Sequence, residues 1–124
     1  MNDQLIQFQH QLYLNLETYR KNGEAMRTPV WFSEENNVLF VRTISNSGKV
    51  KRIHNHPTVK VTPCEVDGKT TGKWVQACAH LIIDPTETAR IEKLFDLKYG
   101  EAKKDFDEQR KAQGLVYATI AVEL

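Results

Sequence analysis

Hydrophobic and polar residues alternate along the first part of the chain in the way that half-buried β-strands require. Three leucines between residues 12 and 16 would face one side of a strand, and polar residues would face the other. The pair Asn22-Gly23 tolerates the positive φ angles of a hairpin turn, so further strands are expected over residues 25–33 and 38–44. Pro29 has no N–H to donate to a strand ladder, which predicts an irregular or edge position at that point.

The same alternation returns in the second part of the chain and predicts three more strands, over residues 58–66, 73–83 and 115–124. Helical periodicity predicts the remaining elements. Leu5, Phe8 and Leu12 recur at helical spacing near the start, a short helix would begin near Ser47, and a long helix would run from the cap residue Asp84 to Gly114, bent at Gly100. Six strands, mostly in hairpin order, predict a mainly β fold, an antiparallel barrel with flanking helices.

Length and charge limit the classes of function. A chain of 124 residues fits one domain, 1–124, and its formal net charge of +1 argues against nucleic acid as the main partner. No apolar run has the roughly 20 residues of a membrane helix, and the first residues do not resemble a signal peptide. Cys64 and Cys78 form neither a C-x-x-C motif nor a disulfide framework. We therefore expect a soluble cytoplasmic protein with reduced thiols and no membrane partner.

Cations are concentrated in residues 45–57, SNSGKVKRIHNHP, directly after a predicted strand. A solvated polar turn would explain this composition, and so would an anion site. The small residues would let an anion approach the backbone, and the N-terminus of a helix beginning near Ser47 favours negative charge. Lys49 and Lys51 would add charge-assisted hydrogen bonds. This arrangement suits a single phosphate, although it lacks the spacing of the known glycine-rich phosphate motifs.

No catalytic or metal-binding set of residues is predicted. His54 and His56 are two residues apart, and no cysteine or carboxylate cluster completes a metal shell around them. No serine or cysteine nucleophile can be paired with a histidine from the sequence. The aromatic residues on the predicted strands, Trp31 among them, are candidate stacking surfaces for a base or a flavin, although most strand aromatics belong to a core.

Four stretches of the chain together carry a family resemblance: TYRKNGEAMRTPVWF, LFVRTISNSGKVKRI, HPTVKVTPCEVDGK and GKWVQACAHLI, in that order. They resemble the pyridoxamine 5'-phosphate oxidase-like proteins, the FMN-binding split-barrel family. The branch usually labelled deazaflavin-dependent is the most similar, since SGKVKR and PVW recur in it. The resemblance covers about residues 12–124. The oxidase itself has Arg-Lys where this chain has Gly48-Lys49, and it has a C-terminal extension that this chain lacks, which argues against pyridoxamine phosphate oxidase activity.

The resemblance implies a six-stranded antiparallel split barrel that forms a homodimer with flavin at the subunit interface. By this resemblance, the second strand lies along the isoalloxazine ring, at Arg27, Thr28, Pro29, Val30 and Trp31. The end of the third strand and the following turn hold the phosphate, at Thr43, Ser47 and Lys49. Lys51 and Arg52 would suit a longer, more anionic cofactor tail.

The resemblance thus implies an oxidoreductase that uses FMN to transfer hydride to a small-molecule substrate, with the deazaflavin coenzyme as the runner-up. Two alternatives stay open. Some split barrels bind or store flavin or haem without turnover, and an oligonucleotide-binding barrel is a third class, which the charge disfavours. The reactive chemistry would belong to the flavin, so no catalytic side chain is predicted.

Overall fold

The computed structural model describes residues 3–124, and in this part of the chain all strands belong to one antiparallel sheet flanked by helices. A 3-10 helix over Asp3–Phe8 comes first. It is followed by β1 (Tyr13–Tyr19), β2 (Ala25–Val30), β3 (Phe32–Glu35), β4 (Val38–Ile44), α1 (Gly48–Asn55), β5 (Thr58–Cys64), β6 (Val75–Ile82), α2 (Pro85–Tyr99), α3 (Glu101–Ala112) and β7 (Tyr117–Glu123).

The two edges of the sheet come from one segment of the chain. The strand order is β2-β1-β5-β6-β7-β4-β3, so β2 and β3 lie at opposite edges although only Trp31 separates them. The sheet therefore curls until its edges meet at Trp31. Pro29 is paired with Asn15 on an edge strand, which confirms the predicted edge position. The mainly β architecture with flanking helices is also confirmed.

The predicted strand count was wrong. The single strand expected over residues 25–33 is two strands, so the described residues form seven strands rather than six, in a sheet that is not closed by pairing between β2 and β3. The physical reason is that this segment must pair with β1 first and with β4 next, and a regular strand cannot change partners without a break. The other predicted strands are present, each shorter by at most two residues at either end.

The inner face of the curled sheet holds the main core. Alternate residues of neighbouring strands meet there, as in the pairs Leu16 with Val61 and Val41 with Ile120, all of which are fully buried. Leu5 and Phe8 of the 3-10 helix and Ile53 of α1 extend this cluster. Leu12, expected beside Leu14 on the core face, is instead 56% exposed because β1 begins only at Tyr13.

A second, smaller cluster lies on the outer face of the sheet, under α2. Phe40 and Ala121 of the sheet pack there against Ile91 and Phe95 of the helix. Asp84 caps α2 as predicted, since its side chain accepts a hydrogen bond from the backbone N–H of Thr86 at 2.9 Å. The bend expected at Gly100 is a complete break between two helices, made possible by a φ angle of 54° at this residue.

Buried charges attach α3 to α2 and to the sheet. The buried Lys103 contacts three carboxylates, at 3.0 Å from Glu92, 2.7 Å from Asp96 and 2.8 Å from Asp107. Arg42 of β4 contacts Glu92 at 2.6 Å and Asp107 at 2.7 Å. Burial disfavours the charged form of Lys103, but the hydrogen bonds that it donates to its carboxylate partners outweigh this effect and raise its pKa. Burial also acts against ionised Asp107, and the hydrogen bonds from Lys103 and Arg42 nevertheless keep the pKa of this carboxyl low.

No helix within residues 3–124 combines the length and the apolar character that crossing a membrane requires.

Replacing Lys103 with methionine is expected to lower the free energy of unfolding at pH 7 by about 1–3 kcal/mol, because the partly buried carboxylates of Glu92 and Asp107 lose their cation. Urea denaturation would measure the change. Lys104→Met is the matched control, because the neighbouring Lys104 is exposed and should change stability by less than about 0.5 kcal/mol.

The difference in the free energy of unfolding between wild type and Lys103→Met should also depend on pH. The folded-state pKa of Asp107 is depressed, so the stability it contributes is present above its unfolded pKa of about 3.9 and is lost as the pH falls through the folded value. The difference should therefore shrink below about pH 4. A difference that stays constant into acid would mean that the ion cluster is not its source.

Candidate functional site

A cavity of about 290 Å³ opens at the break between β2 and β3. Its walls come from β2, the end of β4, the first turn of α1, the last turns of α3 and the start of β7. The lining residues are Tyr13, Thr28, Pro29, Val30, Trp31, Arg42, Thr43, Ile44, Lys49, Phe106, Arg110 and Tyr117. Because β2 is an edge strand, the backbone on its outer side is not paired with another strand and is available to a ligand.

One end of the cavity collects groups that suit an anion. Thr43, near the end of β4, and Ser47, the N-cap residue of α1, have hydroxyl oxygens 3.4 Å apart. The Ser47 side chain makes no capping hydrogen bond, so it leaves the N–H groups of the first turn of α1 uncapped. The helix has eight residues, and its dipole places partial positive charge at this end.

Lys49 adds a half-buried cation to this end of the cavity, in the first turn of α1. Burial lowers the pKa of Lys49, and the nearby charge of Arg52 lowers it further. Burial also lowers the pKa of Arg52, with a second contribution from Arg20. Among the described residues 3–124, none of these three cations makes an ion pair. Uncompensated positive charge in partly buried surroundings is the electrostatic condition for binding an anion.

Gly48 allows Arg52 to approach the start of α1. A Cβ at position 48 would lie 2.5 Å from a terminal guanidinium nitrogen of Arg52, closer than these atoms can pack. The guanidinium is held from the other side by Thr18, whose hydroxyl oxygen accepts a hydrogen bond from Nε at 2.7 Å. A larger residue at position 48 would therefore push Arg52 away from this end of the helix.

The predicted site residues separate into two groups. Ser47 adjoins the cavity, because its hydroxyl oxygen lies 3.4 Å from that of the lining residue Thr43. The predicted residues that line the cavity are Thr28, Pro29, Val30, Trp31, Thr43 and Lys49. Lys51 and Arg52 line a different hollow of about 470 Å³, together with Tyr19, Arg20, Lys21, Asn55 and His56. We call it the basic hollow.

Arg27 lies outside both spaces. Its side chain is 60% exposed, pairs with Glu17 at 2.7 Å and lies over the ring of Trp74 at 4.8 Å. Burial opposes ionisation of Glu17, but hydrogen bonds from Tyr19 and Arg27 lower the pKa of its carboxyl. The charge of Arg27 is thus partly compensated within the protein, unlike that of Lys49.

The structure adds aromatic and cationic residues that the sequence analysis did not identify. Trp31 stacks on Tyr99 with ring centres 4.2 Å apart and planes 8° apart, and the partly exposed Phe106 lies 5.3 Å from Trp31. Arg110 lies over Phe106 at 5.0 Å. Phe106 and Arg110 are four residues apart on an otherwise polar helix, and this spacing predicts from the sequence that both side chains lie on the same face. The sequence did not show which strand that face would meet.

Tyr117 is a further residue that the sequence analysis missed. Its ring lies 3.5 Å from the guanidinium carbon of Arg42, and its buried hydroxyl has no hydrogen-bond partner among the described residues. A buried hydroxyl without a partner costs free energy, so a ligand in the cavity that supplied one would be favoured.

No metal cluster is present in the part of the chain that the structure describes, and Cys64 is not an activated thiol. No group of three or more His, Cys, Asp or Glu residues there is placed to hold a metal ion. Cys64 is buried, and burial, with a smaller effect of Asp67 and Glu65, raises the pKa of its thiol. A raised pKa makes a thiol less reactive.

Comparison with known proteins identifies the type of fold but does not identify an activity. No protein-family profile matches the chain, and no curated protein matches its sequence. Solved structures do match, and they are pyridoxamine 5'-phosphate oxidase-like split-barrel proteins. The mainly β, split-barrel type of fold that the sequence resemblance implied is therefore confirmed, but not its count of six strands.

Three of these structures belong to proteins with different functions. The haem storage protein HutZ from Vibrio cholerae has a TM-score of 0.70 and 13% identity, over 93% of this chain and 82% of its own. An FAD-binding protein from Mesorhizobium loti has a TM-score of 0.67 and 13% identity, over 95% and 82%. An F420-H2 dependent reductase has a TM-score of 0.63 and 16% identity, over 90% and 94%. At these identities the likeness concerns the fold alone.

Replacing Lys49 with methionine is expected to stabilise the ligand-free protein at pH 7 by about 0.5–2 kcal/mol, because it removes a desolvated cation that Arg52 repels. Urea denaturation of wild type, Lys49→Met and the control Lys51→Met would measure this effect. Lys51 is exposed, so its replacement should change stability by less than about 0.5 kcal/mol.

The pH dependence has a definite sign. The folded-state pKa of Lys49 is lowered, so the cost of its charge is fully present below that value and disappears as the pH rises past the unfolded pKa of about 10.4. The stability advantage of Lys49→Met should therefore narrow as the pH rises through the lowered folded-state pKa towards about 10.4. A destabilised Lys49→Met would show instead that Lys49 has a stabilising role within the fold.

Proposed function

We propose that the cavity beside Trp31 binds a flavin, FMN in the first instance, and that the protein is a flavin-dependent oxidoreductase acting on a small planar substrate. The observation that carries this proposal is Lys49, a half-buried cation without an ion-pair partner among the described residues, located at the uncapped start of α1. A phosphate monoester would satisfy Lys49, the hydroxyls of Thr43 and Ser47, and the free N–H groups together.

The residues around the cavity fit the two ends of FMN. The phosphate would be held by Thr43, Ser47 and Lys49, and the ring would lie along the segment from Thr28 to Trp31, whose outer backbone is unpaired. Tyr117 supplies a buried hydroxyl that lacks a partner in residues 3–124. Arg27 is close in sequence but is engaged with Glu17 and Trp74, so its proposed role toward the ring would require it to leave these contacts.

A bound flavin would supply hydride transfer, and the chain's own residues would bind, orient and shield the reactants. Trp31 is fixed by its stack on Tyr99 and would keep one wall of the cavity rigid. Phe106 and Arg110 also line the cavity and would help to exclude water from it. Among the lining residues there is no cysteine, histidine or serine to act as a nucleophile.

The deazaflavin coenzyme is the runner-up, and the basic hollow is the observation that favours it. Arg52 lines this hollow and also reaches the start of α1, so positive charge continues from Lys49 to Lys51. A cofactor with an anionic tail beyond its first phosphate would use this continuous charge. Storage of haem or flavin without turnover is the other alternative. The cavity lining contains no histidine, cysteine or methionine, so haem iron could be ligated there only by Tyr13 or Tyr117.

Titration with FMN and with riboflavin tests the phosphate site. Lys49→Ala removes a charge-assisted hydrogen bond of about 1.5–3 kcal/mol, so affinity for FMN should fall roughly 10- to 100-fold. Riboflavin has no phosphate and should bind wild type and variant about equally. Lys51→Ala is the matched control on the same helix, and its effect on FMN should be smaller because Lys51 does not line the cavity.

The outcomes of this titration and a cofactor analysis separate the alternatives. Equal losses of FMN and riboflavin affinity would indicate damage to the fold and contradict a phosphate contact at Lys49. Mass spectrometry of the cofactor released from purified protein would identify FMN, a deazaflavin or haem directly. Recovery of a deazaflavin, together with a large loss of affinity for it in Lys51→Ala, would favour the deazaflavin coenzyme over FMN.

The proposal includes a homodimer, because the cavity of one chain is small for a flavin. Its volume of about 290 Å³ is at the lower limit of small-molecule sites, which span roughly 300–1,000 Å³. A flavin held by one chain would remain partly open to solvent, so a second copy related by two-fold symmetry is expected to cover it. Light scattering with and without FMN should give the mass of two chains. A monomer that binds FMN tightly would contradict the shared site.

A further inference from the structure

The cavity beside Trp31 has a second cation that the proposed phosphate site does not use. Arg110 lies in the last turn of α3, and its half-buried side chain lines this cavity. Its guanidinium lies over the ring of Phe106 at 5.0 Å, and that ring lies 5.3 Å from the ring of Trp31. Phe106 is 41% exposed, which is unusual for a large aromatic side chain. This part of the cavity wall therefore combines a flat apolar ring with a cation.

Arg110 makes no ion pair with any residue in 3–124. Three of the six arginines pair with carboxylates, namely Arg27, Arg42 and Arg90. Of the other three, Arg20 and Arg52 line the basic hollow, and Arg110 lines the cavity beside Trp31. Asp107 is three residues before Arg110 on the same helix, but it contacts Arg42 and Lys103 instead. The charge of Arg110 is therefore not compensated by a described carboxylate.

The helix dipole alone does not account for the position of Arg110. A cation in the last turn of a helix is favoured by the partial negative charge there, whichever way its side chain points. Lys111 meets this condition from the same turn with an exposed side chain. The dipole gives no reason for a guanidinium to be half-buried in a cavity lining, so we expect a ligand to interact with it.

The end of α3 suits a carboxylate better than a phosphate. A helix C-terminus offers carbonyl oxygens and no uncapped N–H groups, and its partial negative charge disfavours a dianion. A carboxylate carries one charge, and its two oxygens match the planar guanidinium through two parallel hydrogen bonds. The neighbouring charge that lowers the pKa of Lys49 is that of Arg52, and Arg110 does not contribute. Lys49 and Arg110 would therefore bind different anionic groups.

We propose that the substrate of the flavin site is a planar carboxylate, with its carboxylate held by Arg110 and its flat part lying against Phe106. The inference rests on the proposed function, because it places the substrate beside a flavin ring that lies along Thr28 to Trp31. The contact of Phe106 with Trp31 puts the aromatic wall at the end of that segment. A conjugated acid has its carboxylate in the plane of the remaining atoms, so one guanidinium and one ring can bind both parts together.

Calorimetric titration with trans-cinnamate tests the proposal, with cinnamamide as the uncharged analogue. Both are titrated into FMN-loaded and FMN-free protein. Wild-type protein should bind cinnamate more tightly than cinnamamide. Arg110→Leu should lower cinnamate affinity roughly 10- to 100-fold and leave cinnamamide affinity about unchanged. Arg110→Lys should have an intermediate effect, because lysine keeps the charge but not the two parallel hydrogen bonds. Lys111→Leu is the matched control and should leave cinnamate affinity unchanged, because Lys111 does not line the cavity.

Several outcomes would overturn the proposal. Wild-type protein that does not bind cinnamate, or binds cinnamamide equally well, would contradict a carboxylate site, and this comparison decides even if Arg110→Leu folds poorly. Unchanged cinnamate affinity in Arg110→Leu would exclude Arg110 as the partner. An Arg110→Leu protein that loses affinity for FMN but not for riboflavin would place Arg110 at the phosphate instead. Failure of the proposed function gives a different result, because the protein would then bind no FMN, whereas the titration of FMN-free protein would be unaffected.

Discussion

The structure depends on one constraint, which is that a single segment of chain supplies both edges of the sheet. Residues 25–30 pair with β1, residues 32–35 pair with β4, and only Trp31 lies between them. The sheet must therefore curl, and its inner face becomes a closed apolar core. Trp31 belongs to neither strand, and its ring stacks on Tyr99 of α2. The same break leaves the outer backbone of β2 unpaired beside a cavity. The proposed binding site is thus a direct consequence of how the sheet curls.

The helices α2 and α3 cover parts of the sheet that would otherwise be exposed to solvent. The Tyr99 hydroxyl accepts a hydrogen bond from the Phe32 N–H on the short edge strand β3, and its own proton is shared between the carbonyl oxygens of Leu12 at 2.7 Å and Phe32 at 3.0 Å. The cluster around Lys103 attaches α3 to α2 and, through Arg42, to β4. Because Phe106 and Arg110 extend from α3 into the cavity lining, the attachment of that helix also positions one wall of the site. Stability and the shape of the site therefore depend on the same contacts.

Three buried or half-buried lysines show how differently one residue type is used. Lys103 has three carboxylate partners, and its pKa is raised. Lys49 and Lys98 have no carboxylate partner among the described residues, and burial lowers the pKa of both. A charge that is compensated inside the protein contributes to folding, whereas an uncompensated one lowers stability unless a ligand binds it. This difference is the physical basis for assigning Lys103 to the scaffold and Lys49 to the proposed binding site.

The sequence by itself determined the local elements, the mainly β class and the cation-rich turn. Alternation of apolar residues predicts strands, Asp84 predicts the start of α2, and the Ser47–Lys49 segment predicts an anion site, because these signals act between near neighbours in the chain. The resemblance added the split barrel, although it implied six strands. Only the tertiary structure decided that the predicted second strand is two, that Arg27 pairs with Glu17 away from the cavity, and that Phe106, Arg110 and Tyr117 join the lining. It also decided which lysines have carboxylate partners. These outcomes depend on contacts between residues far apart in the chain, which no local pattern specifies.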